Sequence, residues 1–169
     1  MMVLCLEQKK GMVITMISFN SFSGFVTAID DFGCNRTLSV IGSDGNIVNF
    51  VVTPDTYFVD QEMVGVGDFI TGYYDGNAPV ALIFPPSYTA LIIVRFNQNQ
   101  RVTVDYFNSQ LISSDGQLML NISPYTQTML KNGQPFTGNL ANQNLLVVYA
   151  IATRSIPAQT TPAKIIVWC

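Results

Sequence analysis

Apolar and polar positions follow one another along this chain in short runs, each ended by turn residues. No window carries the 3.6-residue period of an amphipathic helix. Stretches 24–29, 37–41, 47–52, 57–59, 69–74, 80–84 and 88–94 read as strands, and 102–107, 110–113, 117–122, 145–152 and 164–168 continue the series. Asp44-Gly45 predicts a two-residue hairpin turn. Asp30, Asp31, Phe32 and Gly33 predict another turn, with both acids exposed. Pro54 ends the strand before it, because proline cannot donate to a central ladder. If there is a helical turn, it falls within 57–64.

The pattern occurs twice. SDGNIVNFVVTPDT at 43–56 returns as SDGQLMLNISPYT at 114–126, and ALIIV at 90–94 is answered by AKIIV at 163–167. The chain therefore divides into an N-terminal arm (1–18), a first β module (19–96) and a second (97–169). Almost no linker separates the modules, and the copies diverge at 131–144, where the second is longer and more polar. Short strands with frequent turns predict an all-β fold. The smallest architecture that fits is two tandem small OB-like β-barrels related by internal duplication, with an N-terminal β arm. In such a barrel, alternation places Phe69 and Tyr73 inward and Tyr74 outward, with Tyr88 plugging the mouth. In the arm, Val3, Leu4 and Leu6, then Val13, Ile14 and Ile17, flank a polar break. They form either a strand added to a neighbouring copy or outer strands of the first barrel.

Composition changes this picture towards association. Hydrophobic residues make up 49% and mean hydropathy is +0.32, so a packed core is expected. Charged residues are only 11%, against about 25% in ordinary globular domains. A surface poor in Lys and Glu resembles the interfaces from which those residues are depleted, so the expected partner is the protein itself. Net charge is −3 and the eight basic residues are scattered, which argues against nucleic acid. No apolar run approaches the roughly 20 residues of a membrane-spanning helix. The N-terminal stretch does not read as a secretory signal, since its basic pair, Lys9-Lys10, follows the apolar run.

Candidate chemistry is thin. The chain has no histidine, which removes the commonest general base and the usual zinc ligand. The Gly65 and Gly67 loop precedes a strand and not a helix, so a dinucleotide reading fails on context. Asp75 and Asn77 lack the regular ligand spacing of a calcium loop. No catalytic residue, cofactor or metal site is expected, and the protein reads as a non-enzyme. Two sets of side chains remain. Tyr73, Tyr74 and Tyr88 could stack against a glycan or a peptide. Cys5, Cys34 and Cys169 are an odd number of thiols, two of them near the ends of the sequence, where bonds between copies would be accessible.

Stretch 64–94, VGVGDFITGYYDGNAPVALIFPPSYTALIIV, resembles an uncharacterised small β-barrel module of Firmicutes proteins. The likeness lies in a Val-Gly-Asp turn, a Gly-Tyr-Tyr-Asp strand end, an Ala-Pro and a Pro-Pro-x-Tyr loop. It covers residues 25–94 closely and the second module only at its hairpin, Pro-containing stop and final strand, and it implies a fold without an active site. In design the chain is also similar to the cysteine-linked subunits of endospore appendages, which implies a spore or cell surface reached without an export signal. The leading expectation is a self-assembling structural subunit of a fibre or surface layer, joined by its arm and by intersubunit disulfides. A glycan- or peptide-binding barrel is the alternative.

Overall fold

The computed structural model describes residues 17–80 and 82–169. Of the arm residues, Val3, Leu4, Cys5, Leu6, Val13 and Ile14 lie outside the described residues. Ile17 is half-buried and precedes the first strand. The described chain is all-β apart from one 3₁₀ turn, Val59–Gln61, which lies inside the 57–64 window. It forms two compact units, 17–96 and 97–169.

In the first unit the strands are β1 (Phe19–Phe32), β2 (Asn35–Ile41), β3 (Ile47–Val52), β4 (Tyr57–Phe58), β5 (Phe69–Asp75), β6 (Ser87–Thr89) and β7 (Ile92–Arg95). They make one sheet in the order β4-β7-β5-β1-β2-β3-β6. β6 ends this sheet beside β3, and β7 lies one strand in from the other end, between β4 and β5. Ala90 N–H donates to Val51 O on β3 at 2.9 Å, and Leu91 N–H donates to Tyr73 O on β5 at 2.8 Å. Two successive residues thus bond to the strands that flank β1 and β2, β3 on one side and β5 on the other. Alternation does the rest: Leu38 and Val40, then Val48, Phe50 and Val52, face a core shared with Val26, Ile70, Ala90 and Ile93. Gly72 occupies the inward position beside Phe50, where an added Cβ would lie 2.5 Å from the ring.

In the second unit the strands are β8 (Arg101–Phe107), β9 (Leu118–Leu120), β10 (Gln127–Leu130), β11 (Gln143–Tyr149), β12 (Ala158–Thr160) and β13 (Lys164–Trp168). The first unit's pairing scheme recurs here. Antiparallel β8–β11 and β11–β13 match β1–β5 and β5–β7, while parallel β10–β13 and β9–β12 match β4–β7 and β3–β6. The β2 counterpart shrinks to the isolated bridges Phe107–Ser113 and Ile112–Met119. Phe107, Leu118, Leu120, Phe136, Leu145, Val147, Ile165 and Val167 form the core.

Four expectations from the sequence need correction. Asp30 and Asp31 lie in β1 and not in a turn; the hairpin turn is Gly33-Cys34, with φ +68° at Gly33. The pattern concealed this because Asp31 pairs with Arg36 across the ladder at 2.8 Å, so two charges occupy exposed strand positions. Phe69 and Tyr73 do not face the core, and Tyr74 does. The inward glycine, Gly72, sets the parity of β5, and alternation then carries Ile70 and Tyr74 inward with it. The described residues of the 80–84 run, 80 and 82–84, are not in a strand, and Leu82, Ile83 and Phe84 are exposed in the loop between β5 and β6. Finally, ALIIV and AKIIV align one residue out of step. Ile92 pairs with Tyr57 as Lys164 pairs with Gln127, so Ile93 corresponds to Ile165. Both face their cores; matching by identity would have set Ile93 against Ile166, on the opposite face.

Candidate functional site

The repeated Thr/Ser-Pro-x-Thr motif is a latch. In the first unit Thr56 Oγ1 accepts from Thr53 N–H at 3.0 Å and donates to Ala90 O at 2.8 Å. In the second, Thr126 Oγ1 accepts from Ser123 N–H at 3.3 Å and donates to Pro162 O at 2.7 Å. Thr53 and Ser123 hydroxyls accept from Asp55 and Tyr125 N–H in the same positions. Each latch sets up a main-chain bond from the following residue, Tyr57 to Leu91 O and Gln127 to Ala163 O. The most distinctive motif of the sequence therefore holds the chain just ahead of the last strand of each unit and has a structural role.

The tyrosines separate into two groups. Tyr74 and Tyr88 stack at 3.9 Å between centroids and 9° between planes, and both pack on the first core, with Phe50 tilted against Tyr74 at 6.2 Å. Tyr73 lies on the opposite face of β5, paired in register with Ile92 and Ser21. The structure thus brings together two of the three platform residues, and those two cover each other's rings. Burial raises the Tyr74 hydroxyl above the ordinary tyrosine value of 10.0; the adjacent Tyr88 hydroxyl raises it further, and a hydrogen bond with Asn20 opposes them.

Of the thiols, Cys34 is free and exposed in the β1–β2 turn. Cys169 follows β13, is exposed and is engaged rather than free. Among the described residues no cluster of three or more His, Cys, Asp or Glu side chains could hold a metal ion, and no helix is long and apolar enough to cross a membrane. The ion pairs are on the surface: Arg95 bridges Glu62 at 3.2 Å and Asp68 at 3.6 Å.

What the sequence pattern did not find is a pair of equivalent apolar loops. Between β5 and β6, Leu82 is fully exposed and Phe84 is 85% exposed. Between β11 and β12, Ile151 and Ile156 are 81% and 83% exposed. Phe84 and Ile156 each precede a cis proline, Pro85 and Pro157, just ahead of the strand that pairs with β3 or β9. The signal was present in the first loop, because Pro79 on one side and Pro85-Pro86 on the other leave the run between them little room in a ladder. A third exposed group is aromatic: Phe69 meets Phe25 and Phe96 edge-on at 5.0 and 6.1 Å.

Comparison with known proteins returns no match: no family model fits the chain, and no curated protein is significantly similar to it.

Proposed function

We propose that this protein is a non-enzymatic structural subunit that associates with further copies of itself, built from two OB-like barrels in tandem. The barrel reading is supported by the pairing order, a three-stranded meander, β1 to β3, whose third strand pairs in parallel with β6, while β7 just after it pairs with β5 beyond β1. The association reading rests on one observation, the apolar tips of the two equivalent loops, at Leu82 and Phe84 and at Ile151 and Ile156. Apolar side chains grouped on a surface mark interaction sites, and here both copies of the repeat carry them on the same connection.

The arm adds to the scheme by strand donation to a neighbour, with main-chain hydrogen bonds giving affinity. Contacts that repeat head to tail without closing give a fibre or a layer. Cysteines reinforce the joints, and a spore or cell surface is the setting that suits such a polymer. The stacked Tyr74 and Tyr88 do not favour the glycan- or peptide-binding alternative, because one face of each ring is covered by the other and both rings pack on the core.

Loop variants test the proposal. Leu82→Ser with Phe84→Ser, and separately Ile151→Ser with Ile156→Ser, leave the cores untouched and are expected to shift gel-filtration elution towards a single copy. Elution of both variants at the native position would remove the loops from the assembly.

A further inference from the structure

The first unit carries a second exposed apolar group, at the start of β5. Phe25 and Phe69 are in register on β1 and β5, and Phe96 N–H donates to Phe69 O at 2.8 Å. Their rings meet edge-on at 5.0 and 6.1 Å. Phe69 is half-buried between two exposed neighbours, Phe25 at 53% and Phe96 at 66%. Asp68 and Arg95, the residues before Phe69 and Phe96, form an ion pair, and Arg95 also binds Glu62. An apolar centre with a charged rim is the anatomy of an interface. The apolar loop lies at the other end of the same strand. It leaves β5 after Asp75 and re-enters the sheet at Ser87, beside the stacked Tyr74 and Tyr88. The seven residues of β5 put about 20 Å between Phe69 and Asp75. Within one copy neither group covers the other, since Leu82, Phe84, Phe25 and Phe96 all remain exposed.

We infer that Leu82 and Phe84 of one copy seat on the Phe25, Phe69 and Phe96 rings of the next. This rests on the association reading and names the surface that receives the loop. Residues 76–86 carry no charge, whereas the second unit's loop has Arg154 between its apolar tips. Charges are depleted from interface centres, so the first loop is the better occupant. Phe84 adds a further ring, and aromatic pairs gain from edge-on or offset contact beyond the area they bury. Loop and cluster are different surfaces at opposite ends of one strand. Each contact therefore leaves a free loop on one copy and a free cluster on the other. Heterologous contacts of this kind continue from copy to copy. A few apolar side chains a side make a contact at the small end of specific interfaces, so the assembly grows with concentration.

Two variants with opposite lesions test the pairing by sedimentation velocity. Leu82→Ser with Phe84→Ser keeps the cluster, and Phe25→Ser with Phe96→Ser keeps the loop. Each alone is expected to associate at least about tenfold more weakly than the native chain, as loss of an aromatic anchor predicts. Mixed in equal amounts they form a two-copy species and nothing larger, because each pair holds one intact loop and one intact cluster. Phe96→Ser alone, just beyond β7, replaces the cluster variant if that loses its far-UV circular dichroism. A cluster variant that assembles like the native chain overturns the assignment. So does a mixture that stays single, or a loop variant that still pairs with itself. In those cases a native chain that assembles keeps the association reading and loses only this seat. A native chain that stays single at every concentration removes both.

Discussion

The two units solve one packing problem with different residues. In the first, Phe50 on β3 fills the space left by Gly72 on β5; in the second, the equivalent positions are Leu120 and Val147. The missing ring returns elsewhere: the second unit has Phe107 on β8 where the first has Val26 on β1. Side-chain volume has moved between strands while the pairing scheme has stayed the same. A core of this kind needs hydrophobic residues of the right total volume more than a particular residue at each position. That is why the repeat is clearer in the turns and latches than in the strands.

The largest effect should come from forcing one solution onto the other unit. Gly72→Val sets a branched side chain against the Phe50 ring and is expected to cost about 1–3 kcal/mol, as overpacking does. Adding Phe50→Leu recreates the second unit's pair and should recover most of that loss, giving a coupling of about 0.5–3 kcal/mol in a denaturant double-mutant cycle. Additive losses would show that the positions are not equivalent. The latches should differ by less. Thr56 is buried, so Thr56→Ala leaves Ala90 O and Thr53 N–H without their partner, at about 1–3 kcal/mol. Thr126 is half-buried, and Thr126→Ala should cost about 1 kcal/mol, because water can replace part of what is lost. Urea titration of the two variants checks the order; a larger loss at Thr126 would reverse it.

Much of the fold was legible in the sequence, and the parts that were not have physical reasons. The Ser-Asp-Gly hairpins and the Pro-containing stops were visible because turns demand particular residues: Gly45 and Gly116 have φ of +84° and +73°, and Asp44 and Asp115 accept from N–H groups two residues on. β10 and β12 were missed because they are short and partly polar, held by parallel pairing rather than by a pattern of their own. The parity of β5 depends on Phe50, a residue on another strand, and no local period reveals that. Of the candidate sites, the tyrosines were found but their stacking was not, since stacking depends on register between strands far apart in sequence. The exposed loop at Leu82 and Phe84 reads as a strand in the sequence, because apolar residues are expected inside, and this run is outside.

The central claim is that the native protein associates with itself. Sedimentation velocity across a concentration series, with negative-stain microscopy of the same samples and paired reducing and non-reducing gels, tests it most directly. The account predicts species that grow with concentration and extended assemblies on the grid, with a covalent ladder where thiols bridge copies. A single 18.6 kDa species at every concentration, with only discrete particles on the grid, would contradict it.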